Sequence, residues 1–150
     1  MIVRSSTADV VIHSALIAGP PGPADSGNVN AMTTVRRALG AYGERLAAQH
    51  LLATGLRLAA RNWRCGDGEV DIIAWDGDVL VFCEVKTRRG IEFGTPAESI
   101  VPAKARRLRR LAAQWLQTTV ANPREVRFDV IEVRAPRNGP PRVDHIKGAF

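Results

Sequence analysis

"GEVDIIAWDGDVLVFCEVKTRRG", residues 68–90, decides how this chain folds. Val70, Ile72 and Ala74 alternate with Glu69, Asp71 and Ile73, and "VLVFCEVK" returns as a second, more apolar run. Two such runs read as antiparallel strands, and Asp76-Gly77 between them is a strong two-residue hairpin signal. The same stretch carries Glu69, Asp71, Glu84 and Lys86 where a plain core strand would carry Val or Ile. Burying an unpaired charge is expensive, so these groups need compensation.

With Asp76-Gly77 as the loop, Trp75 sits opposite Asp78, Asp71 opposite Phe82 and Glu69 opposite Glu84. Alternation puts Glu84 and Lys86 on one face, and Glu69 with Asp71 likewise. Asp71 and Glu84 become diagonal neighbours, roughly 7–8 Å apart at the backbone and able to converge at their tips. Like charges this close repel unless a cation lies between them, and Lys86 can neutralise only one. A hard divalent ion held by carboxylate and carbonyl oxygens, Mg²⁺ or Mn²⁺, fits that donor set. The bland alternative is a solvated sheet face with Lys86 paired to Glu84 or Asp71, a pattern that arises by chance in many chains. Here the residues lie on consecutive strands of one hairpin, within apolar runs, and that favours a site.

Outward from the hairpin, Leu39, Tyr42, Leu46, Ala47 and His50-Leu51 recur at helical spacing between Thr34 and Thr54, and Gly55 ends the pattern. "LRLAARNWR" (56–64) predicts a first strand and "CGDG" a turn into the hairpin. A loop with Gly90, Gly94 and Pro96 leads to a helix over 98–120, then a strand over 125–134, with "PRVDHI" as a short last strand. The order helix-strand-strand-strand-helix-strand implies an α/β or α+β layer with a mixed sheet.

"GPPGPADSGNVN" (19–30) reads as an unfolded connector. Met32 follows at once, so residues 1–31 are expected to be a leader or the product of a misassigned start, with 32–150 as one domain. No apolar run has the length needed to span a bilayer, and the stretch from Val10 to Ala18 makes only a weak secretory signal. Cys65 and Cys83 form neither a metal spacing nor a disulfide framework, which fits a reducing cytoplasm. Cys83 reads as a small core residue; Cys65 is assigned no role.

The 21 Lys+Arg exceed the 15 Asp+Glu, for a net +6 and a pI near 10.3. Only three of those cations are lysine. Arginine suits planar, bidentate contact with phosphate, which pushes mildly toward nucleic acid, although a basic solvated surface is common. In "KARRLRRLAAQWLQ", Leu108, Leu111, Ala112 and Trp115 form the core stripe, with Thr119 a further candidate. Arg106 and Arg110 point away from it, while Arg107 and Arg109 flank it. Such residues most often make a solvated face; here they can also track a phosphate backbone. Arg88 and Arg89, at the end of the hairpin, are candidate phosphate contacts as well. Trp63, Trp75 and Trp115 are too sparse for a base-stacking platform, so recognition by backbone and shape is expected. His13, His50 and His145 are scattered and make no nuclease motif.

Asp71, then twelve residues, then Glu84-Val85-Lys86 resembles the metal-binding core of the PD-(D/E)xK nucleases, the restriction-endonuclease-like superfamily. More closely, "GAYGERLAAQHLLATG", "NWRCGDGEVDIIAWDGDVLVFCEVKTRRG" and "RFDVIEV" resemble the bacterial YraN family, related to Holliday-junction resolvases. The resemblance covers about Leu39 to Phe150; residues 1–31 and Val70, where the motif often has Pro, depart from it. It implies a restriction-endonuclease-like core in which Asp71 and Glu84, with the Val85 carbonyl, hold the metal and Lys86 orients and deprotonates the attacking water or steadies developing charge. Glu44 matches the superfamily's helical acid, although it also reads as a surface glutamate paired with Arg45 or Arg36. Glu69 would be a supporting or backup ligand. Lys104, on the inward side of its helix, would contact the scissile phosphate.

Three readings follow. The first is a Mg²⁺- or Mn²⁺-dependent nuclease or DNA-processing protein acting on branched or damaged DNA, by analogy a homodimer. The second is a non-catalytic nucleic-acid-binding protein that keeps the fold, and the third an interaction domain whose acidic face is merely solvated.

Overall fold

The computed structural model describes residues 29–90 and 102–150. Seven elements run in the order α1 (Val29–Ala53), β1 (Arg57–Cys65), β2 (Gly68–Asp76), β3 (Val79–Arg89), α2 (Pro102–Thr118), β4 (Glu125–Ala135) and β5 (Arg142–Ile146). The strands form one mixed sheet in that same order, antiparallel throughout except for the parallel pair β3–β4. A parallel neighbour needs a crossover, and α2 supplies it.

Both faces are covered. Val79, Val81 and Cys83 of β3 pack with Ala47, Ala48 and Leu51 of α1. The alternate residues Leu80 and Phe82 pack with Leu108, Leu111, Ala112 and Trp115 of α2. Phe82 meets Trp115 edge to face at 5.9 Å and stacks on Phe128 at 5.9 Å, each pair adding about 0.5–1.5 kcal/mol beyond its area. This α/β/α layering is the mixed fold that the pattern predicts.

Details differ from the expectation. α1 begins at Val29 rather than Thr34, so Val29 and Asn30 of the expected connector are helical. Gly55 does end it: at φ +96 it lets the Leu56 N–H bond back to the Leu51 carbonyl at 2.9 Å, while Leu56 itself is buried. Only 102–118 of the expected second helix is described as helix; 98–101 lie outside the described residues. The hairpin loop is Gly77-Asp78, because Asp76 pairs with Val79 and Ile72 with Cys83. Gly77 takes the positive φ (+61) at the first central position, and Val79 is drawn into the core instead of the turn. The register therefore moves by two, and Asp71 lies across from Glu84, one step past the last ladder pair.

Two further acids are buried in β4. Asp129 accepts two hydrogen bonds from Arg127 (2.9 and 3.0 Å) and one from the Gly148 amide (2.9 Å), and faces His145 Nε2 at 2.8 Å. Burial works to raise its pKa, but these partners outweigh it and hold the carboxyl below its usual range. His145 in turn meets His50 edge to face at 5.6 Å, so two of the histidines that look scattered in sequence are neighbours. Glu132 is paired with Arg88 (3.3 Å) and Arg134 (3.4 Å).

α1 approaches β3 unusually closely at Gly43, where a Cβ would overlap the Thr87 hydroxyl. Gly43→Ala is therefore expected to destabilise the protein by about 1–3 kcal/mol through overpacking, despite the better helix propensity of Ala. Thr87→Ala in that background removes the nearest atom but leaves a Cβ 2.9 Å away, so it should recover part of the loss in urea unfolding; no loss from Gly43→Ala would contradict the close approach.

Candidate functional site

Asp71 stands where strand alternation breaks. Val70 packs on the α2 side and Ile72 on the α1 side, although they are two residues apart. Opposite, the β1 pairing passes from Arg61↔Ile72 to Trp63↔Val70 across Asn62, which has φ +49. Irregularities of this kind re-aim a side chain. Here the Asp71 carboxylate swings into the opening past the last β2–β3 ladder pair and accepts the Val85 N–H at 2.8 Å. A side-chain oxygen thus replaces a backbone carbonyl in the ladder. Burial pushes the Asp71 carboxyl up to about 6; the Val85 hydrogen bond opposes this, and the charges of Glu84, Glu44 and Glu69 add to it.

Glu84, 8% exposed, is the counterpart on β3. Its Oε1 lies 2.6 Å from Lys104 Nζ and 3.2 Å from Lys86 Nζ, and its Oε2 lies 3.9 Å from Arg107 Nη2. Burial would raise its pKa, but Lys104 and Lys86 together hold it below the ordinary value. Two ammonium groups cannot both be at ease on one oxygen. Burial and the neighbouring Lys86 lower the Lys104 pKa, whereas Lys86, burial notwithstanding, is held above its usual value by Lys104, Glu84 and Asp71.

A cleft of about 380 Å³ gathers Asp71, Glu84, Val85 and Lys86 with Glu44, Arg36, Leu39, Gly40 and Thr87. Gly43 is what lets the helix bring Glu44 this near. Of the two partners that the surface reading of Glu44 offers, Arg45 lies over the Tyr42 ring at 5.8 Å, while Arg36 lines the same cleft as Glu44. Glu69 is not in the cleft; its carboxylate is tied to Arg64 at 3.2 Å. Arg88 is turned toward buried Glu132, and Arg106 and Arg110 are exposed on the outer side of α2. Arg89 is half-buried at the end of β3. Gly40 and Thr87 were not singled out from sequence; Arg36 was named only as a surface partner for Glu44, and Leu39 only as part of the helical pattern.

The donors present are oxygens only, from Asp71, Glu84, Glu44 and the backbone, which suits a hard divalent cation. Among the described residues no three His, Cys, Asp or Glu side chains form a complete metal cage. The acidic pair could supply part of a coordination shell, with water or substrate completing it. Among the described residues no helix is long and apolar enough to cross a membrane.

A family model described as "Uncharacterised protein family UPF0102" matches residues 43–133. A UPF0102 protein of Salinispora arenicola is 60% identical over 119 residues, covering 79% of this chain and 100% of the relative. Another from Frankia casuarinae is 54% identical over 113 residues (75% and 96%), and one from Streptomyces coelicolor is 51% identical over 135 residues (89% and 98%). The matched segment takes in Glu44, the whole acidic hairpin, Lys104 and most of β4. The chain belongs to the UPF0102 family, which is the YraN family that its motifs resemble.

Proposed function

We propose that this protein is a metal-dependent nuclease hydrolysing phosphodiester bonds in DNA. The observation that carries the reading is the Asp71 carboxylate, pushed up to about 6 beside Glu84 and Glu44 in a cleft that also holds Lys86. A group perturbed by burial and by specific charged neighbours in a cleft is a functional-site candidate. Asp71 and Glu84, with the Val85 carbonyl, would hold Mg²⁺ or Mn²⁺, and Glu44 would reach the same ion through water or bind a second. Such an ion supplies an activated water and relieves charge on the scissile phosphate.

The remaining work falls to the chain's own residues. Lys86, 3.2 Å from Glu84 in the same cleft, suits the steadying of negative charge on the phosphate and the handling of the attacking water. Lys104, brought by α2 onto the same Glu84 oxygen, is placed to touch the phosphate. The basic surface supplies sequence-independent attraction for the backbone. Branched DNA is the favoured substrate by family analogy, a homodimer would match the twofold symmetry of a junction, and the cytoplasm is the proposed place of action.

A second reading, a DNA-binding protein without catalysis, has one observation in its favour. Lys86 and Lys104 already neutralise Glu84 without any metal. One experiment separates the two: incubation with branched, single-stranded and duplex DNA under Mg²⁺ or Mn²⁺. The nuclease reading expects metal-dependent cutting that falls by at least about 100-fold in Asp71→Asn and Glu84→Gln. Binding without cutting would support the second reading, and neither would sink both.

Lys104→Ala is expected to reduce cutting by about 10-fold or more; unchanged cutting together with unchanged DNA affinity would remove Lys104 from the site. The raised Asp71 pKa makes a stability prediction as well. Between about pH 4 and 6 the folded state binds more protons than the unfolded state, so stability contributed by this group falls as pH rises through that window. Asp71→Asn, which can still accept the Val85 N–H, should therefore melt several degrees higher than the parent at pH 7.5, a gain on the order of 2–3 kcal/mol. The gap should close below pH 4. A variant less stable than the parent at pH 7.5 would count against the strained carboxylate.

A further inference from the structure

A second depression opens beside the acidic cleft, with a volume of about 440 Å³, lined by Arg64, Cys65, Gly66, Gly68, Glu69 and Arg107. It lies between the β1–β2 turn and α2, and none of its residues belongs to the acidic cleft. Arg107 joins the two: its guanidinium reaches toward Glu84 Oε2 at 3.9 Å, and its side chain crosses over Gly68. Gly68 has φ +142, a conformation that L side chains rarely adopt, and a Cβ there would stand 3.5 Å from Arg107 Nη1. The turn is thus bare backbone where the arginine passes. Gln114, two turns further along α2, hydrogen-bonds Asp67, which pins α2 beside this turn.

The two arginines are arranged for exchange. The Arg107–Glu84 separation exceeds a hydrogen bond, and the Arg107 side chain is 39% exposed. Arg64 is 75% exposed, and its pair with Glu69 is the kind of surface ion pair worth about 0–1 kcal/mol. Arg64 meets Glu69 through two contacts, 3.2 and 3.4 Å, both at the exposed surface, so each guanidinium has a partner that a phosphate can displace. A planar fork that can leave a weak carboxylate partner suits a phosphodiester, which offers two oxygens in matching geometry. A strand whose scissile phosphate lies at Glu84 and Lys86 would carry its next phosphate into this groove, with Arg107 at the junction and Arg64 beyond it.

We propose that the groove between the β1–β2 turn and α2 is a phosphate subsite, in which Arg107 and Arg64 hold the backbone phosphate next to the one being cleaved. This deepens the nuclease reading and rests on it. It makes the substrate a polynucleotide strand rather than any small phosphodiester, and it gives the groove a positioning role.

The test uses full-length Asp71→Asn protein, which retains the groove, and fluorescence anisotropy with a labelled single-stranded oligonucleotide between about 50 and 200 mM salt. Arg64→Ala and Arg107→Ala, added singly, should each weaken binding by about 5- to 20-fold at the low-salt end and lower the salt slope by about 1. Arg124→Ala, at the far end of the hairpin and paired with Asp78, removes the same charge and should change neither. Circular dichroism reports folding, and if Arg107→Ala does not fold, the exposed Arg64 decides the matter alone. Slopes unchanged by Arg64→Ala and Arg107→Ala, or lowered equally by Arg124→Ala, would overturn the subsite while leaving DNA binding intact. An absence of binding by the parent to single-stranded, duplex and branched DNA alike would remove the nuclease reading and the subsite with it.

Discussion

One hydrogen bond organises the site: the Asp71 carboxylate filling a gap in the sheet by accepting the Val85 amide. A backbone ladder would normally supply that acceptor from a peptide carbonyl. Using a side chain instead fixes a charged group at the edge of a tightly packed core, within reach of Glu84 and with no freedom to retreat into solvent. The other features of the cleft answer to that placement. α1 must come close enough for Glu44 to face it, which only Gly43 permits against Thr87, and α2 must lie where Lys104 can reach Glu84.

Charge compensation elsewhere in the molecule follows a different rule. Asp129 and Glu132, as deeply buried as any apolar residue, each sit against two cationic or potentially cationic side chains. Desolvated carboxylates survive when hydrogen bonds and opposite charge replace water. Glu84 obeys the rule too, with two lysines on one oxygen. Asp71 takes a neutral amide and three acidic neighbours, and Lys86, the cation of the same cleft, is itself paired with Glu84. The difference between these solutions separates groups that hold the fold together from one that burdens it, and such burdens are commonly tolerated where function requires them.

Much of this was legible in the sequence because it is local. Turn chemistry and alternation find the hairpin, and helical phase finds the core stripe of α2 and the inward placement of Lys104. The hairpin register was misjudged by two residues because a Gly can serve either central position of a two-residue loop; burial of Val79 decides between them. The break at Asp71 was invisible, since a strict two-residue period assumes the very regularity that fails there. "EVRFDVIEVR" is legible as a strand, but not that in a three-layer fold both faces of β4 are covered, so that Asp129 and Glu132 go inside. Gly43 against Thr87 and His50 against His145 join residues far apart in the chain, and no local pattern carries such information.

The topology also sets an order of assembly. β2 and β3 close over a two-residue loop, whereas β4 must return alongside β3 through the whole of α2. Contacts of short sequence separation form sooner than distant ones because less chain entropy is lost in closing them. Asp71 and Glu84 are thus brought together early, on a hairpin still facing water, and Lys104 arrives only when the crossover docks. Repulsion between the acids is borne by a nascent chain whose solvent can screen it, and desolvation comes afterwards, once the lysine is on hand.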